Sequence, residues 1–207
     1  MHESLNGLLP PDIRVREISP AILDFHARFS VKSKIYRYTI YNDKVLNPFQ
    51  RLYACHSAHK LDNSAMKEAA KHFVGTHDFT AFANCVRDDK IRNPNPVKTV
   101  FRCEVVELGP VIEIDVEGSG FLYRQVRNMV ALLMEIGKGA LPPEIVVDLL
   151  TRVDRRELAK VAVSAPPHGL CLMEVNYREE HLALPPDCPA VSFGRNRSIT
   201  KCKLPFY

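Results

Sequence analysis

The sequence predicts an α+β fold, a mainly antiparallel sheet with helices packed on one side of it. Three stretches carry that expectation. Ile35 to Tyr41 is dense in aromatic and β-branched residues and predicts a strand with Tyr36, Tyr38 and Ile40 on one face and Arg37, Thr39 and Tyr41 on the other. From Val97 the chain reads as a hairpin. Phe101, Cys103 and Val105 alternate with Arg102 and Glu104, Gly109 and Pro110 make the turn, and Ile112, Ile114 and Val116 alternate with Glu113, Asp115 and Glu117. Gly118 to Gly120 then leads into a strongly apolar helix over about Phe121 to Ile136, closed by Gly137 and Gly139.

The remaining elements follow in order. His2 to Pro11 carries Leu5, Leu8 and Leu9 and stops at Pro10 and Pro11, like the tail of a helix. Ile13 to Ile18 alternates as a half-buried strand should, and a loop containing Pro20 comes next. Arg51 to His56 is a further strand candidate. Asp62 reads as the N-cap of a helix that buries Met66, Ala69, Ala70 and Phe73 and is closed by Gly75. Pro142 and Pro143 open a helix through Leu150, and a short one covers Arg155 to Val161. Gly169 to Tyr177 reads as a buried final strand. The expected organisation is one domain over residues 1–177 and a loose tail over 178–207, where Pro185, Pro186 and Pro189 precede the basic Arg195, Arg197, Lys201 and Lys203.

A chain of 207 residues, 46% hydrophobic, can bury a real core. It has no run of about 18 apolar residues of the kind that crosses a bilayer, which argues against a membrane protein. The six cysteines include no C-x-x-C pair and read as reduced thiols. Cys55, His56 and His59 come nearest to a zinc set, but no second ligand pair follows at suitable spacing, so no metal is expected. The net charge of +4 is mild, yet its distribution is uneven. Arg14, Arg16, Arg28, Lys32, Lys34, Arg37, Lys44 and Arg51 face only Glu17, Asp24 and Asp43, which fits either a solvated basic face or an RNA-binding surface. Residues 1–11 carry neither a secretory signal nor a transit peptide, and the compartment, cytoplasm or an organelle, stays open.

A series of short blocks occurs in a fixed order: Leu5-Asn6 with Leu9 to Ile13, Asp24 to Phe29, Lys34 to Tyr38, Gly75 to Phe79 with Phe82, Asn95 to Val100, Gly120 to Asn128, and Ala165 to Leu170. Together, over roughly Leu5 to Tyr177, they resemble the TruA family of tRNA pseudouridine synthases. The resemblance implies an isomerase of tRNA uridine, working without cofactor or metal, and pairing as a homodimer. In that chemistry the glycosidic bond to nitrogen breaks, the held base turns, and a carbon–carbon bond forms. The target nucleotide must leave its stack and enter a closed pocket, at a cost of a few kcal/mol.

By resemblance, Tyr36 is the active-site tyrosine that packs against the target base and takes part in proton transfer; otherwise a strand tyrosine simply fills a core. Arg127 resembles the arginine that pairs with the catalytic aspartate, the plainer reading being a surface arginine at a helix edge. Leu170 resembles the apolar residue contacting the base from another side, with a plain core leucine as the alternative. Arg28, Lys32, Lys34 and Arg37 are expected to meet tRNA phosphates, and Arg124 joins them because it shares a helix end with Arg127. The run Arg87 to Arg92 reads as a solvated charge run.

The family's catalytic aspartate belongs to an Arg-Thr-Asp-x-Gly-Val-His block, and no such block occurs in these 207 residues. Asp88 and Asp89 follow an arginine but lack the continuation. Three expectations stay open: a synthase whose N-terminal part is absent from this chain, a non-catalytic RNA-binding protein, or a subunit that pairs with an intact copy. Half of a central sheet left without its partners would also expose an edge that invites association.

Overall fold

The computed structural model describes residues 2–84, 95–183 and 185. The charge run Arg87 to Arg92 and nearly all of the basic tail, Arg195 to Lys203 included, lie outside the described residues. The elements in chain order are α1 (His2–Leu8), β1 (Val31–Asn42), β2 (Cys55–Ser57), α2 (Asn63–Lys71), β3 (Gly75–Asp78), β4 (Val97–Leu108), β5 (Val111–Gly118), α3 (Gln125–Gly137), α4 (Ile145–Arg152), α5 (Arg155–Val161), β6 (Leu170–Tyr177) and α6 (Glu179–Leu182). They fall into two units, residues 31–176 and a smaller one of residues 1–30 with 177–207.

In the larger unit a six-stranded sheet runs β2-β1-β5-β4-β3, with β6 also paired to β1. The β1–β5, β5–β4 and β4–β3 pairs are antiparallel, whereas β1 and β2 run parallel. Register sets Tyr36 opposite Val116, Tyr38 opposite Ile114 and Ile40 opposite Ile112. Alternation then gives the sheet two unlike faces. Tyr38, Ile40, Ile112, Ile114, Val116, Val100, Cys103 and Val105 form one core with the inner sides of the helices: Met66, Ala69 and Ala70 of α2, Met129, Leu132, Leu133 and Ile136 of α3, Val146 of α4 and Leu158 of α5. The other face carries the ion pairs of Arg37 with Glu113 and Asp115, and of Arg102 with Glu104 and Glu117. The α+β architecture with helices on one side is therefore as the alternation predicts. No described helix is long and apolar enough to cross a membrane.

Several elements depart from expectation, each for a local reason. Residues 13–18 form no strand beyond a single bridge at Ile18. Val15 gives its N–H to Asn6 Oδ1 and accepts from Asn6 Nδ2, both at 2.8 Å, while His2 Nε2 lies 2.7 Å from the same carbonyl. Side chains thus take the backbone groups that a ladder needs. Within this smaller unit the rings of Phe25 and Tyr177 lie 5.2 Å apart, and the Tyr177 hydroxyl donates to Ala27 O.

The Arg51–His56 candidate shrinks to Cys55–Ser57, because a 3₁₀ turn over Pro48–Gln50 continues until Ala54 N–H closes onto Gln50 O. Asp62 does cap α2, accepting from the Ser64 and Ala65 N–H groups, but the helix ends at Lys71 and Gly75 opens β3 with a φ of 123°. Helix α3 starts at Gln125 rather than Phe121. Arg124 is left-handed (φ 63°), and the wholly buried Gln125 turns its Oε1 back to the Leu122 N–H at 2.8 Å, fixing a turn where a first helical turn was expected. Finally, β6 has no fully buried residue.

Candidate active site

Strand β1 presents Tyr36 on the helix-covered face of the sheet, half-buried and packed against the core. Phe121 meets its ring edge-on at 5.3 Å between centroids. Burial pushes the phenol above its ordinary value of 10.0, so the hydroxyl keeps its proton at neutral pH. Lys34, two residues earlier, shares that face.

Arg127 lies in the first turn of α3 and is half-buried. Its Nε donates to Ala165 O at 2.6 Å, and Ala165 N–H returns a bond to Arg127 O at 3.3 Å. Among the described residues it forms no ion pair. A guanidinium has five N–H donors in a planar fork suited to a carboxylate, and the carbonyl occupies one of them.

The stretch from Ala165 to Leu170 links these groups. Tyr38, fully buried two residues from Tyr36, donates its hydroxyl to Pro166 O at 2.8 Å. Burial raises the Tyr38 phenol strongly, and the nearby Arg127 charge pulls the other way. Gly169 passes so close that a Cβ there would lie 2.7 Å from Tyr38 Cζ and 2.9 Å from Thr39 O. Leu170 follows, half-buried against the same core. Tyr36 therefore neighbours the strand residue that anchors Pro166, while Arg127 anchors Ala165 and Leu170 closes the turn. Arg127 and Leu170 thus belong to one short segment and its anchor, and Tyr36 lies two residues along β1 from the tyrosine that holds it.

The candidate phosphate contacts do not gather in the same way. Arg37 is on the opposite sheet face, bound bidentately to Asp115 at 2.7 Å and to Glu113 at 2.7 Å, so its charge is matched within the sheet. Arg28 is exposed in the smaller unit, its guanidinium 5.8 Å from the Phe29 ring. Lys32 is exposed on β1. Arg124 is exposed at the entry to α3, 5.3 Å from the Tyr123 ring.

Two residues that end quoted blocks without a role assigned to them prove structural to the site. Nothing in the spacing marks Tyr38 as the anchor of a turn 128 positions away. Asn128 has a readable signal, a carboxamide among Val126, Met129 and Val130, since a polar group in an apolar helix needs partners. It donates to Phe82 O at 2.7 Å and to Asn84 Oδ1 at 2.8 Å. No three His, Cys, Asp or Glu side chains cluster as a metal site among the described residues.

Residues 69–178 match the family model described as tRNA pseudouridine synthase. The chain is 39% identical over 181 residues to tRNA pseudouridine synthase A 1 of Protochlamydia amoebophila, covering 87% of this chain and 69% of that protein. It is 44% identical over 177 residues to tRNA pseudouridine synthase A of Geotalea daltonii, covering 84% and 69%, and 42% identical over 173 residues to the Chlamydia muridarum protein of the same name, covering 84% and 62%.

Proposed function

Because the chain belongs to the tRNA pseudouridine synthase family, we propose that the protein isomerises uridine to pseudouridine in tRNA, with Tyr36, Arg127 and Leu170 around the uracil ring. Tyr36 offers an aromatic face for the extruded base, and its protonated hydroxyl serves as a proton donor rather than a phenolate base. Leu170 forms an apolar wall. Arg127, steadied by Ala165 O, orients the carboxylate that attacks and stabilises its charge. Arg28, Lys32, Lys34 and Arg124 meet phosphates, which supply affinity without sequence information. No cofactor is required, since the isomerisation breaks one bond to ribose and makes another.

The observation that carries this reading is Arg127: a half-buried guanidinium fixed by one carbonyl, beside the segment that also holds Tyr38 and Leu170, with most of its donors still available. The carboxylate motif of the family is not among these 207 residues, and the chain spans about two thirds of its relatives' length. The isolated 207-residue chain is accordingly expected to bind tRNA in a salt-dependent way and to form no pseudouridine. Incubating it with unmodified tRNA and mapping pseudouridines tests this, and appreciable turnover would overturn it. Mapping the modification in cells with and without the intact gene tests the activity itself. Pairing as a homodimer belongs to the same proposal; a chain that sediments as a monomer at micromolar concentration would remove it.

A further inference from the structure

A cleft of about 430 Å³ opens on the far side of Asn128, lined by Asn84 and Ala81 near β3, Arg124 and Asn128 of the α3 entry, Arg155 and Leu158 of α5, and Ser164. Its polar groups include open donors. Phe82 O can only accept, so the Asn128 atom bound to it is the amide nitrogen; that nitrogen also bonds Asn84, whose facing atom must then be the oxygen. The Asn84 amide N–H₂ is left as a donor. Asn84 is pinned further by its own N–H, which donates to Tyr123 O at 3.1 Å. Arg124 brings an exposed guanidinium group. The Ser164 hydroxyl is buried in the cleft wall with no hydrogen-bond partner, a state that costs free energy until one is supplied. No acidic residue lines the cleft among the described residues. An open amide donor, an unpartnered hydroxyl and the Arg124 guanidinium make a site for an anion.

Its position says which anion. Ser164 directly precedes Ala165, the residue that holds Arg127, and Arg124 and Asn128 flank Arg127 on α3. Arg124 also keeps a left-handed backbone that a non-glycine residue adopts only under constraint from its surroundings. A nucleotide drawn into the pocket of Tyr36 and Arg127 must leave its neighbouring phosphates just outside it. We propose that this cleft binds a backbone phosphate of the RNA strand beside the nucleotide being modified. The inference rests on the tRNA reading above and adds residues to it, Asn84 and Ser164 foremost.

The test measures tRNA affinity against salt for the wild-type chain and for Asn84→Asp, Arg124→Gln and, as a charge control elsewhere on the surface, Lys71→Gln. Asn84→Asp keeps the acceptor for Asn128 and puts a carboxylate where the donor was, so binding should weaken about tenfold. Arg124→Gln should lower the slope of log affinity against log salt by about one, while Lys71→Gln binds as wild type. A nitrogen-15 spectrum follows the Asn84 side-chain amide, which should shift on adding tRNA. Equal binding by wild type and both cleft variants overturns this inference and leaves the proposed function standing. Absence of any salt-dependent tRNA binding by the wild type overturns both. A shift of the Asn84 amide with inorganic phosphate but not with tRNA overturns the assignment to RNA.

Discussion

Gly169 is the tightest point of the candidate site. The segment Ala165–Leu170 is held from two sides, by the Tyr38 hydroxyl at Pro166 O and by Arg127 at Ala165 O, and Gly169 lets it lie flat on the Tyr38 ring. Adding one methyl there would meet Tyr38 Cζ at 2.7 Å, Tyr38 Cε1 at 2.8 Å and the Thr39 backbone oxygen at 2.9 Å. The ring is locked in the core and the oxygen belongs to a strand, so neither can give. Gly169→Ala is expected to destabilise by about 1–3 kcal/mol. Tyr38→Phe, which leaves the ring and loses only the hydrogen bond, should cost about 1 kcal/mol. Urea denaturation of the two variants checks the order: a midpoint for Gly169→Ala at or above that of Tyr38→Phe would contradict the close approach. None of this contact is legible locally, because Tyr38 and Pro166 are joined only by the folded chain. The Ala-Pro-Pro-His-Gly-Leu block marks the segment without telling what presses on it.

At the scale of elements, local chemistry and local sequence agree in some places and part in others. Asp62 was legible as a cap because its carboxylate needs only the backbone two and three residues on. The start of α3 was not, since Gln125 folds back on Leu122 and the apolar run gives no sign of it. Residues 13–18 alternate as a strand does, yet Asn6 satisfies Val15, a competition that hydrophobic period cannot register. The end of α4 shows the same separation. Val153 terminates it with a φ of 54°, a left-handed conformation that a β-branched residue adopts at a cost of about 1–2 kcal/mol. Val153→Gly should therefore raise stability by about 1 kcal/mol, whereas Asp62→Ala should lower it by a similar amount through loss of the cap. Thermal unfolding of both variants reads the opposite signs, and a destabilised Val153→Gly would mean that the valine side chain contributes more packing than its half-exposed position implies.

For the molecule as a whole, alternation made the two sheet faces readable, since it needs only neighbours in the strand, while the parallel pairing of β1 with β2 and the place of β6 on β1 depend on chain crossings that no period encodes. The helix-covered face also collects ionisable groups that titrate only at high pH. Cys103 is fully enclosed and its thiol is pushed from 9.0 up to about 12 by burial, while burial also raises Cys55 above 9.0 and Tyr36 and Tyr38 above 10.0. In each case the folded state keeps a proton that the unfolded chain releases. The unfolded chain therefore binds fewer protons above its own titration range, and stability must fall as pH rises there. The contribution is whole below about pH 9, begins to be lost as the unfolded thiols ionise, and falls faster once the phenols follow near pH 10. The share of Cys103 stops falling at about 12, where its thiol loses its proton in the folded state as well, while that of the more strongly raised Tyr38 goes on falling. The raised Arg37 and Arg102 titrate above this window and do not enter. Melting temperatures are expected to be level from about pH 7 to 8.5 and to decline steadily from about 9 to 11. Cys103→Ala should soften the first part of that decline, because it removes the most deeply buried thiol. A melting temperature that stays level through pH 11 would show that these four side chains reach solvent in the native state, and the closed core beneath Tyr36 would have to be given up with it.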